Sequence, residues 1–258
     1  GLDCFSKGKN IIEKGIQKQF FEDGTYIQNS ITYQRFAIQS IMLSYQFLKN
    51  SLSKNSLLKL CQVVEFFNYN IFDDDGNFPN YGPNDGAMLF NFGIADYRDL
   101  RPVTNLLSYS LKGDIYFNSH KSLIDTLFLT SFSFSHKHKK KDIEKINVKI
   151  FEKSSLFYLS LNKFSILACS TNFKNRYPSH CDGLHLDIWY NKKPVFTDSG
   201  SFEYYSKHGD EDFKSFLSTS YHNTIRLNKK DQIKKGPRFL WLTEMRSNNH
   251  CLLYTSPS

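Results

Sequence analysis

The chain has 258 residues, of which 40% are apolar and 16% aromatic, enough to build one large packed domain or two modest ones. Its formal net charge of +8 favours a polyanionic partner, whether nucleic acid, acidic lipid or acidic polysaccharide, without choosing among them. No apolar run approaches the length of a membrane span, and five cysteines without a CxxC suggest neither a disulfide framework nor a zinc ribbon.

The first half reads helical. Ile11, Ile12, Ile16, Phe20 and Phe21 recur at helical spacing. Asn29-Ser30 can cap a second helix, whose apolar residues Ile31, Phe36, Ile38, Met42, Leu43, Tyr45, Phe47 and Leu48 form a broad stripe that packs on more than one side. Ser56 to Phe67 makes a third helix, with Leu57, Leu60, Cys61, Val64 and Phe67 on one face. A loop rich in Asp, Asn, Gly and Pro follows from Asp73 to Gly86, and shorter helices are predicted over Val103–Leu111 and Lys121–Leu129.

The run His136-Lys137-His138-Lys139-Lys140-Lys141 reads as a solvated loop between domains; no further ligand lies near its two imidazoles in sequence. Beyond it the period changes from 3.6 to 2. Asn147–Phe151 alternates, and Leu156–Leu167 is rich in strand formers. In the next strand Leu184, Leu186 and Ile188 face one way and His185 and Asp187 the other. Pro194–Thr197 and Thr224–Leu227 complete the predicted strands. Helices first and strands after mean separate layers, not an alternating α/β sheet. Cys61 on a helix pattern and Cys169 on a strand pattern read as core thiols.

The chemistry-bearing residues concentrate between His180 and Thr224. His180, Asp198 and His222 lie next to turns or strands, and strand ends can bring such residues together. Imidazole and carboxylate together suit Zn²⁺, and three protein ligands leave a position for water. The competing reading is a pair of hydrogen-bonded sheet histidines. Cys181, between His180 and Asp182, points to the opposite face in a strand and is a poor co-ligand.

Several spaced motifs resemble the heparinase II/III family of polysaccharide lyases. They are His180-Cys181-Asp182 running on to Trp189, Asp198-Ser199-Gly200, and His222-Asn223-Thr224. In the helical half, the Asp23-Gly24 turn and the segment Ser30-Ile31-Thr32-Tyr33 match the family's Asp-Gly turn and Ser-x-x-Tyr helix. The resemblance covers roughly residues 1–245. It implies a multidomain α-then-β fold: an incomplete (α/α) toroid over residues 1–135, followed by an antiparallel β-sandwich over 146–250.

The implied activity is β-elimination on a uronic-acid-containing glycan. Such a lyase removes the C5 proton, protonates the leaving C4 oxygen and neutralises the carboxylate. By resemblance, Tyr33 is the acid and a candidate base; on composition alone it reads as a core tyrosine. Phenolate chemistry near neutral pH needs a cationic or hydrogen-bonding neighbour, and Arg35, two residues on, lies on another side of the helix. The family's metal ligands carry over to His180, Asp198 and His222, for a divalent metal of the zinc type. His180 doubles as a candidate catalytic residue, because the position two before it, where some members have a further histidine, is Pro178. Arg176 and His185 are candidates for substrate contacts, with surface strand residues as the alternative. Asn84 matches an Asn-Asp-Gly of the family, and a turn role explains it equally well.

The implied partner is an acidic polysaccharide in the periplasm or outside the cell, whether heparin-like, alginate-like or capsular. No helix-turn-helix, zinc-finger spacing or RNP-like motif supports a nucleic-acid partner. The family places an Asn-His pair upstream of Gly1, which makes this chain an expected internal fragment. Residues 251–258 resemble a translated adapter read-through and are excluded from the fold. The alternative function is a glycan-binding or glycan-assembly protein on the same scaffold.

Overall fold

A computed structural model describes residues 2–48, 51–131, 147–170, 180–201, 215–236 and 242. The basic run, Arg176, Pro178 and the C-terminal octapeptide lie outside the described residues. Within them, helices come first: α1 (Leu2–Gln19), α2 (Ile31–Leu48), α3 (Lys54–Asn70), α4 (Arg101–Lys112) and α5 (His120–Leu129). The strands follow as β1 (Val148–Phe151), β2 (Leu156–Leu161), β3 (Phe164–Cys169), β4 (Leu186–Tyr190) and β5 (Lys193–Phe196). They form one antiparallel sheet in the order β1-β2-β3-β4-β5. No helix among the described residues is long and apolar enough to cross a membrane.

Local chemistry accounts for the element ends. The Ser30 side chain accepts the Tyr33 N–H at 3.1 Å and starts α2. Ser53 does the same for α3 through the Ser56 N–H at 3.2 Å. Pro102 opens α4, and Gly113, left-handed at φ 73°, closes it with its N–H on the Tyr109 carbonyl. The Asp23-Gly24 turn between α1 and α2 sits directly on α3. Gly24 has φ 82°, and a Cβ there would come within 2.2 Å of the Gln62 carbonyl oxygen, so only glycine fits.

One expectation about the strands holds and one is corrected. The strand-rich run from Leu156 is a hairpin, with Leu161 paired to Phe164 across a turn in which Asn162 is left-handed at φ 52°. Thr224–Leu227 is not a strand; its Thr224 hydroxyl and Ile225 carbonyl are taken up by Gln232.

The alternation in β4 is as read, but its polar side is the inner one. Asp187 and Trp189 are buried, as is His185 just before the strand, while Leu184 and Leu186 are exposed. The expected alternative of a surface position for His185 therefore fails, since the residue is 0% exposed.

The inner sheet face packs on the C-terminal end of α3 and the residues after it. Phe66 meets Phe151 edge-on with ring centroids 5.0 Å apart, Tyr69 meets Tyr158 at 5.0 Å, and Phe72 meets Trp189 at 5.7 Å. One hydrophobic core thus runs from α1 through α3 into β4. Edge-to-face rings combine large buried area with favourable quadrupole geometry, so this seam fixes the sheet against the helices.

Phe72 touches both Tyr158 and Trp189 and is 5% exposed. Phe72→Ala is expected to cost about 3–5 kcal/mol of stability, read as a lowered urea midpoint. A loss below about 1 kcal/mol would mean that the seam does not hold the two layers together.

Candidate metal centre

The residues between α3 and α4, 71–100, have little regular structure, so their polar groups need other partners. The buried polar face of α2 supplies many of them. Ser30 donates to the Pro83 carbonyl at 2.6 Å, Gln39 donates to the Phe90 carbonyl at 2.7 Å, and the Leu89 N–H donates back to Gln39 at 3.0 Å. Arg35, 1% exposed, donates to the Tyr97 carbonyl, and its guanidinium stands 4.5 Å from the Tyr97 ring centre. Burial pulls the Arg35 pKa down. Its guanidinium is thus engaged with Tyr97.

This loop reaches the sheet domain at residues 198–201. Asn80 donates to the Asp198 carbonyl at 3.5 Å, and the Asn84 backbone N–H donates to the Ser201 hydroxyl at 3.0 Å. The Asn84 side-chain oxygen accepts from the Tyr97 hydroxyl at 2.6 Å and from the Gly86 N–H at 3.1 Å, and its amide donates to Asn80 at 3.2 Å. These contacts hold Asn84 within its own loop.

Behind the clasp lie His180, Asp198 and His222, all buried, with one ligand atom from each within 4.8 Å of the others. The three come from separate places: His180 ahead of the turn into β4, Asp198 just after β5, and His222 at the end of the 3-10 turn Thr219–Tyr221. Each predicted motif supplies a ligand and its fastening. Gly200, left-handed at φ 75°, gives its N–H to the Asp198 carboxylate at 2.6 Å. Asn223 ties His222 to the sheet by donating to the Leu186 and Thr197 carbonyls at 3.2 and 3.0 Å. The Thr224 hydroxyl donates to the Gly183 carbonyl.

The hydrogen-bonding state of each imidazole differs. His222 Nδ1 lies 3.0 Å from Asp198 Oδ2, and His180 Nε2 lies 2.9 Å from Ser201 Oγ. The other nitrogens, His222 Nε2 and His180 Nδ1, are buried without a partner. His185 is arranged otherwise: its Nδ1 accepts the Asn223 N–H at 3.2 Å, so in the neutral ring Nε2 carries the proton, 3.6 Å from Asp198 Oδ2. At that distance Nε2 makes no hydrogen bond and is also buried without a partner, while the one lone pair of the ring is occupied. Cys181 is also outside the ligand group; its thiol points at the Ile233 carbonyl, and burial pushes it up to about 12.

The electrostatics favour metal-ready forms at His180 and Asp198, whereas His222 is biased toward its protonated form and must release a proton to ligate a metal. Burial lowers His180 to about 3 and also lowers His185, keeping both neutral. Burial alone would raise Asp198, but the His222 hydrogen bond and the surrounding imidazoles hold it below the usual carboxylate range. Burial would lower His222, yet its hydrogen bond to Asp198 carries it above the ordinary imidazole value. Burial raises Asp182 to about 7 and Asp187 to about 6. Asp187 accepts from Trp189 Nε1 at 2.5 Å and from the Asp198 N–H at 3.2 Å, tying the aromatic seam to the cluster. A buried carboxylate with two orphaned imidazole nitrogens fits a divalent cation, and its nitrogen and oxygen donors are of the type zinc takes.

Residues 146–250 match the family model described as "Heparinase II/III-like, C-terminal". The match covers the strand-bearing part of the chain and makes that segment similar to the C-terminal domain of the heparinase II/III-like family. Its fold is similar to that of a solved heparinase III gene product, with 20% identity and a TM-score of 0.61 over 87% of this chain and 33% of that one. A second heparinase III structure matches at 16% identity and a TM-score of 0.56, covering 89% of this chain and 37% of its own. A heparan sulfate lyase from Pedobacter heparinus matches at 16% identity and a TM-score of 0.56, covering 87% and 33%. The chain thus spans about a third of the length of these structures. No curated protein matches it.

Ser201 and Asn80 escaped the sequence reading. Ser201 follows the Asp-Ser-Gly motif directly but forms no pattern of its own, and Asn80 lies more than a hundred residues away from its partner.

A Cβ at Gly200 would come 2.4 Å from Asn80 Nδ2, whereas Gly113, at a similar φ of 73°, has open space. Gly113→Ala is expected to cost about 1 kcal/mol, and Gly200→Ala about 1–3 kcal/mol more, because it also pushes Asn80 off residue 198. Equal losses in urea unfolding would mean that the clasp contributes nothing.

Proposed function

We propose that the protein is a polysaccharide lyase that cleaves a uronic-acid-containing glycan by β-elimination. Within it, this chain supplies part of an (α/α) toroid and a β-sandwich. The observation that carries the reading is the buried His180–Asp198–His222 cluster, which lies in the family-matching segment and is hydrogen-bonded to the loop packed on the Tyr33 helix.

In the proposed reaction the C5–H bond breaks, the electron pair forms the C4=C5 double bond, and the C4–O bond to the leaving sugar breaks. The Tyr33 phenolate accepts the C5 proton, and the hydroxyl so formed delivers that proton to the departing oxygen, so one group serves both steps. Tyr33 sits in the first turn of α2, whose cap Ser30 is bonded to Pro83, and the next residue, Asn84, holds Ser201 against His180. Placement of the acid and placement of the cluster thus share one loop.

Burial of His180 at 1% exposure supports the ligand role over direct contact with substrate. Zinc is the cation proposed at His180, Asp198 and His222; bound, it supplies a fixed positive charge that braces the sandwich edge. His185 acts behind that shell and not on the glycan. The net charge of +8 suits an acidic polysaccharide, and heparan sulfate, named for the Pedobacter heparinus lyase, heads the candidates. Polymeric glycans of this kind place the protein in the periplasm or outside the cell.

The test takes the protein at its full length and follows the ultraviolet absorbance of the new C4–C5 double bond across a panel of uronate polysaccharides. Tyr33→Phe should lower kcat by about 100- to 10,000-fold while the melting temperature holds. Binding without elimination across the whole panel would replace this reading with glycan binding on the same scaffold.

A further inference from the structure

Ser201 is 1% exposed and has two partners from different parts of the chain. It accepts the Asn84 backbone N–H at 3.0 Å, and it lies 2.9 Å from His180 Nε2. A backbone N–H can only donate, so one lone pair of the hydroxyl is committed to Asn84. Two arrangements remain for the imidazole. If the serine donated to Nε2, the His180 proton would sit on Nδ1, which has no partner and is buried. If Nε2–H donates to the serine, Nδ1 keeps a bare lone pair. An orphaned buried N–H is the rarer and costlier outcome. The serine oxygen has a second lone pair to receive the proton.

We propose that Ser201 is a positioning residue: it accepts the Nε2–H of His180, fixes that tautomer and leaves Nδ1 as the nitrogen open to a cation. The inference rests on the metal reading only for its consequence. A partner behind a ligating histidine fixes ring and tautomer, and its loss typically weakens metal binding by 10- to 100-fold. Here that partner is itself held by the main chain of Asn84, so a loop of the helical half sets the direction in which a sheet-domain imidazole presents its lone pair. The side chain of Asn84 need not touch substrate for the loop to matter.

The experiment labels the histidines of the 258-residue chain with ¹⁵N and reads tautomers from long-range ¹H–¹⁵N spectra of metal-free protein. His180→Gln identifies the His180 resonances. Wild type should show the Nε2–H tautomer at His180, Ser201→Ala should mix the two forms, and Ser201→Thr should restore the wild-type pattern. Zinc titration against a chromophoric chelator should then give about 10- to 100-fold weaker binding for Ser201→Ala, with recovery in Ser201→Thr. Ser201→Cys, which keeps the volume but accepts poorly, should mix the tautomers as alanine does and serves if the alanine variant does not fold. An Nδ1–H tautomer in wild type, or an unchanged tautomer in both Ser201→Ala and Ser201→Cys, overturns the inference. The tautomer is read without metal. A wild type that keeps Nε2–H but binds no zinc would therefore sink the metal reading and leave the Ser201 assignment standing.

Discussion

The Asp198 carboxylate is 3% exposed, and an unpaired charge in that position would cost several kcal/mol. Much of what surrounds it can be understood as compensation. The Gly200 N–H and the His222 ring bond it, and His185 turns a proton toward it. Each partner constrains a segment: Gly200 forces the left-handed turn after Asp198, His222 brings in the segment after the 3-10 turn, and His185 stands at the entrance to β4. The compensation is incomplete on the imidazole side, where His180 Nδ1, His222 Nε2 and His185 Nε2 remain without hydrogen-bond partners, the first two on the candidate ligands themselves. A cation resolves both ends of that imbalance together, and this is the physical reason to read the cluster as a metal centre instead of a set of structural histidines.

The cluster also depends on the aromatic seam. Trp189 packs on Phe72 and donates its ring N–H to Asp187, which in turn accepts the Asp198 backbone N–H. The helical half thus reaches the centre twice, through this core path and through the Asn80–Asn84 loop. The helices that include Tyr33 and the segments that carry His180, Asp198 and His222 are thus joined by two separate sets of contacts.

Much of the fold was legible in the sequence because periodicity is a local property. The five described helices all fall where helices were predicted, and Ser30 shows its role as a cap by residue type and place. The metal candidates were legible through spaced motifs, and His180, Asp198 and His222 do converge. What could not be read was direction. The alternation of β4 shows two faces but not that the one bearing His185 and Asp187 turns inward, since a buried polar face is stable only with partners far away in sequence. Ser201 and Asn80 were invisible for the same reason: their partners are a main-chain N–H and a main-chain carbonyl, which have no residue type to recognise. The Thr224–Leu227 segment has strand formers but spends its polar groups on Gln232, a competition that propensity does not contain.

The most direct test of the account is the metal content of the purified chain, measured by elemental mass spectrometry after exposure to excess zinc and removal of loosely bound ions, beside Asp198→Asn. The account predicts about one zinc per chain in the wild type and almost none in the variant, because removing the charge removes the reason for the cation to stay. A wild type that retains no metal, or a variant that retains as much as the wild type, would contradict it.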